Sequence, residues 1–190
     1  MSIYDEFSKI EEKYGILLQK ATKLMENVPD PKHSLSHMYS VVNYTKEILA
    51  QTEVDKEVCI IAAYWHDVGR SVQDEGHAKL SAEMLKTEMQ NLRYDDEFIN
   101  KCYKAICKHG WDEEPETLEG IIIRDADKID FVGIGRWSQC IENDCKFTKI
   151  LELLPTMRKE LLRLDCSRKI FDREIANLVV FLHNKIFNIE

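Results

Sequence analysis

The chain has 190 residues and a formal net charge of −8, with 44% hydrophobic and 32% charged residues. This length suits a single domain with a sizeable core. The acidic balance disfavours broad electrostatic binding to nucleic acid, which normally requires a basic face. With only 7 glycines and 4 prolines, the composition also disfavours architectures built from strands and tight turns.

Neither a membrane segment nor an export signal is expected. No apolar run approaches the roughly 20 residues that span a bilayer, and residues 1–15 carry early acidic side chains without an apolar signal core. We therefore expect a cytoplasmic protein. Its cysteines include no Cys-x-x-Cys pair, which favours reduced thiols over disulfides or a zinc knuckle. They are Cys59, Cys102, Cys107, Cys140, Cys145 and Cys166.

In the first third of the chain, hydrophobic periodicity predicts three helices. The first runs over residues 3–26 and is ended by the prolines of residues 27–31, because a proline disfavours helix in the residue before it. The second is predicted over 34–50. The third is predicted over 54–68, with Gly69 as its C-cap.

The rest of the chain is also predicted to be helical. One helix is expected over 76–90 and another over 95–109, with Asp95 as N-cap and Gly110 as the C-terminal stop. After an acidic loop, further helices are predicted over 117–130, 134–142, 147–164 and 167–188. Pro155 is expected to kink or split the third of these. The sequence thus predicts one all-α domain over 1–190.

Six polar residues interrupt the apolar faces of these helices. The most conspicuous are His66 and Asp67, which end the apolar run of residues 58–65. Burying so many polar groups is costly unless they are paired or bind a metal. Because the set is spread over five predicted helices, we interpret it as one metal centre inside a helical bundle. Its members are His37, His66, Asp67, His77, His109 and Asp127.

The adjacent pair sets a geometric condition on the backbone. Neighbouring residues of a helix point about 100° apart, so His66 and Asp67 reach one site only at a helix end or a local distortion, which Gly69 would permit. The two remaining histidines are interpreted differently. His183 also lies on an apolar face, where we expect a hydrogen-bonded core residue. His33 precedes a helix, and we expect a capping or loop residue, with support of a metal ligand as the lesser alternative.

The spacing His37, His66-Asp67, Asp127 resembles the HD-domain metal-dependent phosphohydrolase superfamily. The local sequences HSLSHMYSVV, AAYWHDVGR and IIIRDADKIDFVGIGRW carry the resemblance over about residues 30–137. It is closest to the small stand-alone bacterial hydrolases of that superfamily. The resemblance implies a helical bundle of the HD-domain type with a metal site between helices, on which helices 147–188 would pack.

The resemblance also implies a set of ligands for divalent metals. His37, His66, Asp67 and Asp127 would bind the first ion. His77 and His109 would either bind a second ion, with Asp67 bridging, or only contact substrate beside a single ion. Asp125 competes with Asp127 for the last ligand position, but the local sequence Ala-Asp-Lys resembles that of the family and favours Asp127. Asp130 lies on the same helix face as Asp127 and could support a ligand. Such ligands suit Mn, Fe, Co, Ni or Zn.

The implied activity is hydrolysis of a nucleotide or another small phosphorylated metabolite by a metal-bound hydroxide. Asp67, His66 and Arg70 are the expected catalytic residues. Phosphate-binding candidates, each of which could instead be a solvated surface charge, are Arg70, Lys79, Lys108, Lys128 and Arg136. The alternatives are a mixed-valent di-iron oxygenase of the same fold and a non-catalytic regulatory module. We expect a small-molecule partner and no membrane partner, and leave a homodimer open.

Overall fold

The structure is a computed structural model that describes residues 3–142 and 150–187. Within these ranges the chain forms ten α-helices and no strand, which confirms the all-α prediction. Two 3-10 helices, Pro31–His33 and Val68–Ser71, and a π-helical segment, Met157–Leu161, complete the regular structure. The α-helices are α1 (Ile3–Lys13), α2 (Gly15–Met25), α3 (Leu35–Leu49), α4 (Lys56–Trp65), α5 (His77–Asn91), α6 (Asp96–Ile106), α7 (Leu118–Asp130), α8 (Ile134–Glu142), α9 (Ile150–Thr156) and α10 (Asp165–Phe187).

Helix α4 is the centre of the fold. It is apolar around its whole circumference, and the seven residues Val58–Ala63 and Trp65 are each at most 1% exposed. A helix of this kind must be covered on every side, and α1, α2, α3, α5, α6 and α7 all contact it. Asp55 caps its N-terminus by accepting a hydrogen bond from the backbone N–H of Val58. The C-terminal end of α4 lies inside the bundle, since the next two residues, His66 and Asp67, are at most 2% exposed.

The structure divides the predicted first helix into α1 and α2 at Tyr14. The prediction of one continuous helix over residues 3–26 is therefore wrong. Tyr14 is buried, with φ −102° and ψ 14°. Its ring lies 5.9 Å from Tyr94 and 5.8 Å from Phe98, measured between centroids, and its hydroxyl donates to Glu57. These tertiary contacts hold Tyr14 outside helical geometry, and periodicity along one segment does not report them.

Most other predicted boundaries agree with the structure to within two residues. Two helices end earlier than predicted: α4 stops at Trp65 and α6 at Ile106, before Gly110. The predicted helix over 147–164 enters the described part of the chain at Ile150. Pro155 lies inside α9, and the winding becomes π-helical two residues later.

The assignment of Gly69 as a C-cap is wrong. Gly69 lies inside the 3-10 helix Val68–Ser71, and its N–H donates to Ser81 Oγ over 2.8 Å. A Cβ at this position would lie 2.5 Å from the carbonyl oxygen of His77 and 2.9 Å from the backbone nitrogen of Ser81. Glycine is required here because the segment after α4 passes against the first turn of α5. That close approach brings Asp67 next to His77.

The last turns of α10 correct the expectation for His183. This histidine is exposed, and its ring stacks beside Phe187 with centroids 4.8 Å apart. Its apolar neighbours Val179 and Val180 are 61% and 60% exposed. The face is apolar, as its spacing indicated, but no other described element covers it, so His183 is not a core residue.

Two further findings concern the whole chain. The five cysteines within the described ranges are free thiols, and Cys145 lies outside those ranges. Among the helices of residues 3–142 and 150–187, none combines the length and the apolar character that crossing a membrane demands.

Candidate metal centre

The fold brings all six predicted ligand residues into one cluster. His37 comes from α3, His66 and Asp67 follow α4, and His77 begins α5. His109 follows α6, and Asp127 comes from α7. Five of the six are buried, with exposures of 7% or less, and His77 is partly exposed. Five separate chain segments thus converge at the C-terminal end of the central helix.

The early end of α4 explains how His66 and Asp67 both reach the cluster. His66 keeps helical angles (φ −55°, ψ −39°), whereas Asp67 departs from them (φ −108°, ψ 5°). The helix end required by the adjacent pair is therefore present. It lies at Trp65, three residues before the predicted end of the helix.

His37, His66 and Asp127 form the first group that could hold a metal ion. One ligand atom from each lies within 4.8 Å of the others. The Nε2 atoms of His37 and His66 are 3.2 Å apart, and His37 Nε2 is 3.4 Å from Asp127 Oδ1.

Asp67, His77 and His109 form the second group, within the same limit of 4.8 Å. Asp67 Oδ1 lies 3.2 Å from His77 Nε2 and 3.4 Å from His109 Nε2. The other carboxylate oxygen, Oδ2, lies 3.5 Å from His37 Nε2 and 3.8 Å from His66 Nε2. Asp67 therefore stands between the groups with one oxygen facing each, which is the position that a bridging carboxylate would take.

All four histidines of the cluster are oriented by a hydrogen bond at Nδ1. An acceptor at Nδ1 fixes the proton there and leaves the Nε2 lone pair free for a metal. The pairs are His37 Nδ1 with Asp130 Oδ2 (2.7 Å), His66 Nδ1 with Ala63 O (2.8 Å), His77 Nδ1 with Asp74 O (2.9 Å) and His109 Nδ1 with Ile106 O (2.8 Å). The four Nε2 atoms face the cluster, which fits a divalent metal bound by imidazole and carboxylate.

The electrostatics of the cluster favour a cation. Burial lowers the pKa of His66 to about 3, so its imidazole is neutral. For His37, burial and the nearby Arg136 act to lower the pKa. Hydrogen bonds with Asp130 and Asp67 outweigh these two effects, so the pKa of His37 lies above its usual value. Burial alone would raise the pKa of the Asp127 carboxyl, yet the Lys128 ammonium holds it well below its usual range. In the metal-free protein His37 therefore binds a proton more readily than a free imidazole does, and a metal ion at its Nε2 would displace that proton.

Asp130 and Asp125 have distinct roles behind the cluster. Asp130 accepts from His37 and thereby orients it, as its shared face with Asp127 suggested. Asp125 accepts from the backbone N–H groups of Arg163 and Leu164, at distances from 3.0 to 3.2 Å. Asp125 therefore faces the C-terminal segment, and Asp127 is the aspartate of this pair whose carboxylate joins the cluster.

A cavity of about 160 Å³ opens over the cluster. Two predicted phosphate-binding residues line it: Arg70, whose Nε lies 2.9 Å from Asp67 Oδ2, and Lys128, whose Nζ lies 2.6 Å from Asp127 Oδ2. The cavity thus combines two cations with candidate metal ligands. Its lining consists of His33, Arg70, His77, His109, Gly110, Trp111, Asp127, Lys128 and Phe131.

The other three predicted phosphate-binding residues do not line this cavity. Arg136 is 3% exposed and lies behind His37, with its guanidinium 3.5 Å from Asp130 Oδ2 and 4.2 Å from the centroid of the Phe131 ring. Lys79 and Lys108 line a separate surface cavity of about 350 Å³, where Lys108 pairs with Glu116 over 2.6 Å. A long basic side chain pairs with an acidic residue that the fold brings near it, and the sequence alone does not reveal which acidic residue that is.

Sequence reasoning missed three residues of the cavity wall. His33 was expected to cap a helix or lie in a loop, with support of a metal ligand as the lesser alternative, and not to line a cavity. In the structure its Nδ1 is 2.8 Å from Asp30, its ring packs edge-on against His37, and it lines the cavity. Trp111 and Phe131 form an aromatic wall, with centroids 5.9 Å apart. His33 and Trp111 lie outside α-helices, where no periodicity could have indicated their direction.

These observations define an all-α protein whose buried histidines and aspartates could hold one or two metal ions. The sequence model of the HD domain matches residues 34–131, about half of the chain, and includes His37, His66, Asp67, His77, His109 and Asp127. The chain therefore belongs to the HD domain family.

Individual relatives agree with this assignment. An uncharacterized protein of Clostridium beijerinckii is 29% identical over 132 residues, which cover 66% of this chain and 83% of that protein. Ribonuclease Y of Sulfurovum sp. is 26% identical over 137 residues, and ribonuclease Y of Desulforamulus reducens is 26% identical over 121 residues. These matches cover 25% and 22% of the two ribonucleases, so the chain spans about a quarter of their length or less.

One solved structure shares the fold over most of its length. The crystal structure of a predicted HD superfamily hydrolase from an uncultured Thermotogales bacterium superposes with a TM-score of 0.68. The two chains are 24% identical, and the superposition covers 90% of each. The helical arrangement described above is therefore shared with that protein over most of its length.

Proposed function

We propose that this protein is a metal-dependent phosphohydrolase that acts on a nucleotide or another small phosphorylated metabolite. The observation that carries the proposal is the cavity itself: Arg70 and Lys128 face the same space as His77, His109 and Asp127. Two cations beside candidate metal ligands suit a phosphoryl group, whose oxygens need positive charge on several sides.

Each group of three residues would hold one divalent ion, with Asp67 shared between them. Metal ions bound there would acidify water and polarise a phosphoryl oxygen. The chain's own residues would supply the positioning. Asp67 holds the Arg70 guanidinium and Asp127 holds the Lys128 ammonium, so both cations would meet the substrate in fixed positions.

His33 would bind substrate without donating a proton. Burial lowers the pKa of His33 to about 4, so the imidazole is neutral at pH 7. Its Nδ1 is engaged by Asp30, which leaves Nε2 to accept a hydrogen bond from a substrate hydroxyl.

The test begins with metal analysis of protein purified without added metal. Phosphate release is then screened with Mn, Fe, Co, Ni and Zn over nucleotides and sugar phosphates. Short RNA oligonucleotides belong in the same screen, read by strand cleavage, because ribonuclease Y is among the relatives. We expect turnover of a small phosphorylated compound with at least one metal.

The Asp67→Ala variant is expected to lose both activity and bound metal, because it removes the carboxylate that faces both groups. The matched control is His183→Ala, an exposed change on α10 that should keep activity near that of the unaltered protein. Turnover and metal retained in Asp67→Ala would contradict the proposal. Bound iron with oxygen consumption and no phosphate release would favour the di-iron oxygenase, and a metal-free inactive protein would favour the regulatory module.

A further inference from the structure

The loop after α6 forms one wall of the cavity. Gly110 and Trp111 line it, and the Lys128 ammonium lies 5.5 Å from the centroid of the Trp111 ring. A cation over an aromatic face is attracted to it. The position of Trp111 therefore affects both the shape of the cavity and the surroundings of Lys128.

Two arginines from different parts of the chain hold this loop through one acidic residue. Glu114 accepts hydrogen bonds from Arg124 Nη1 at 3.1 Å and from Arg163 Nη2 at 3.1 and 3.2 Å. Arg124 Nη1 also donates to the backbone carbonyl of Glu113 over 3.0 Å. We call Arg124, Glu114 and Arg163 the Glu114 clasp.

Burial makes the Arg124 contact consequential. Arg124 is 1% exposed, and within residues 3–142 and 150–187 its Nε and Nη2 groups have no hydrogen-bond acceptor. The hydrogen bonds of its guanidinium therefore all go to the loop, at Glu113 and Glu114. Releasing the loop would remove those hydrogen bonds from a buried cation, which is costly.

Arg163 adds a contact from outside the region that matches the HD domain. It lies between the π-helical segment and α10, and its backbone N–H donates to Asp125, the neighbour of Arg124 in α7. Helix α7 thus anchors both arms of the clasp, and the same helix carries Asp127 and Lys128.

We propose that the Glu114 clasp positions Trp111 as the wall of the cavity and thereby sets the affinity for substrate. Its three members are positioning residues, because they act on the cavity through Trp111 without touching the reacting atoms. The effect on substrate depends on the proposed function, whereas the effect on Trp111 does not.

The test uses the full chain labelled with 5-fluorotryptophan, so that each of its three tryptophans carries one ¹⁹F nucleus. In Glu114→Ala we expect the Trp111 signal, assigned with Trp111→Phe, to shift or broaden in the metal-free protein. The signal of Trp65, buried in α4, should stay unchanged. With metal and substrate present, KM should rise about fivefold while kcat stays within about twofold, as expected for a lost binding contact.

Glu114→Ala leaves the buried Arg124 its hydrogen bond to the carbonyl of Glu113. Arg163→Ala is the second variant: its side chain is 45% exposed, it removes the other contact of the clasp without changing Arg124, and we expect a smaller effect of the same kind. The matched control is Arg158→Ala. Arg158 and Arg163 side chains are each 45% exposed, but Arg158 pairs with Asp172, away from the loop. The control should change neither the Trp111 signal nor KM.

The outcomes separate the two proposals. An unchanged Trp111 signal in Glu114→Ala would overturn the clasp. A changed signal with unchanged KM would overturn its role in substrate affinity. An unaltered protein that turns over no phosphorylated compound would refute the proposed function, and the ¹⁹F signal would still decide whether the clasp holds Trp111.

Discussion

At the scale of single residues, a carboxylate that accepts a hydrogen bond from a candidate metal ligand controls how well that ligand is oriented for the metal. Asp130 orients His37 through a hydrogen bond of 2.7 Å at Nδ1. Such supporting contacts keep an imidazole in the orientation and tautomer that a metal needs. Asp130 is therefore part of the candidate site although it faces away from the cavity.

We predict that Asp130→Asn weakens metal binding by about 10-fold to 100-fold, since an amide supports the imidazole less strongly than a carboxylate. Isothermal titration of the metal-free protein with Mn or Zn measures this. Asp125→Asn is the control: it should lower the unfolding midpoint, because Asp125 accepts from Arg163 and Leu164, but leave metal affinity unchanged. Equal affinity losses in both variants would count against an orienting role for Asp130.

His33 gives a prediction about pH. Burial lowers its pKa from 6.5 to about 4, so between these values the unfolded chain binds the proton more tightly than the folded protein. His33 therefore lowers the stability of the metal-free protein as pH falls from 6.5 to 4, and adds no pH dependence above 6.5. We expect its ring protons to titrate near pH 4 by NMR. A midpoint near 6.5 would contradict the partial burial of this imidazole in the cavity wall.

At the scale of elements, the junction between α4 and α5 decides whether the ligands meet. Gly69 lets the 3-10 segment pass against the first turn of α5, and this contact places Asp67 beside His77. A side chain at this position would meet backbone atoms, which cannot rotate away.

We predict that Gly69→Ala destabilises the protein by about 1–3 kcal/mol, the usual range for an overpacked site, and also weakens metal binding. Gly15→Ala is the matched control, since no described atom lies within 4 Å of an added Cβ there. Urea unfolding curves compare the two variants. Similar stability of Gly69→Ala and the unaltered protein would show that the close approach is not required.

The helices also show how much of the fold and of the candidate site could be predicted from the sequence alone. Periodicity predicted α3, α5, α7 and α8 within two residues and placed His37, His66, His109 and Asp127 toward the interior, because a buried face repeats along a helix. It did not predict the break at Tyr14 or the place of Trp111. Both depend on contacts with residues distant in sequence, Phe98 for the first and Phe131 for the second. Periodicity also found the apolar face of α10 but could not tell that His183 is exposed on it.

At the scale of the whole molecule, the site joins five segments around α4, so a metal that binds it binds only the folded chain. Such a ligand raises stability by about 2.7 kcal/mol at 100 times its Kd. For a chain of this size that corresponds to a rise of roughly 5–11 °C in the unfolding midpoint. We predict this rise on adding the preferred metal to stripped protein, and its reversal by a chelator. Asp67→Ala should show little or no rise; an equal rise in both proteins would point to binding elsewhere.

The hydrogen bonds at Nδ1 have a consequence for how this centre tolerates sequence change. His66, His77 and His109 each donate to a main-chain carbonyl three positions back, at Ala63, Asp74 and Ile106. The orientation of these three rings thus depends on the local backbone turn, and substitution of the neighbouring side chains does not remove it. Of the four histidines, His37 is the one oriented by a carboxylate distant in sequence. A substitution of Asp130 would therefore misorient His37 while the other three imidazoles keep their orientation.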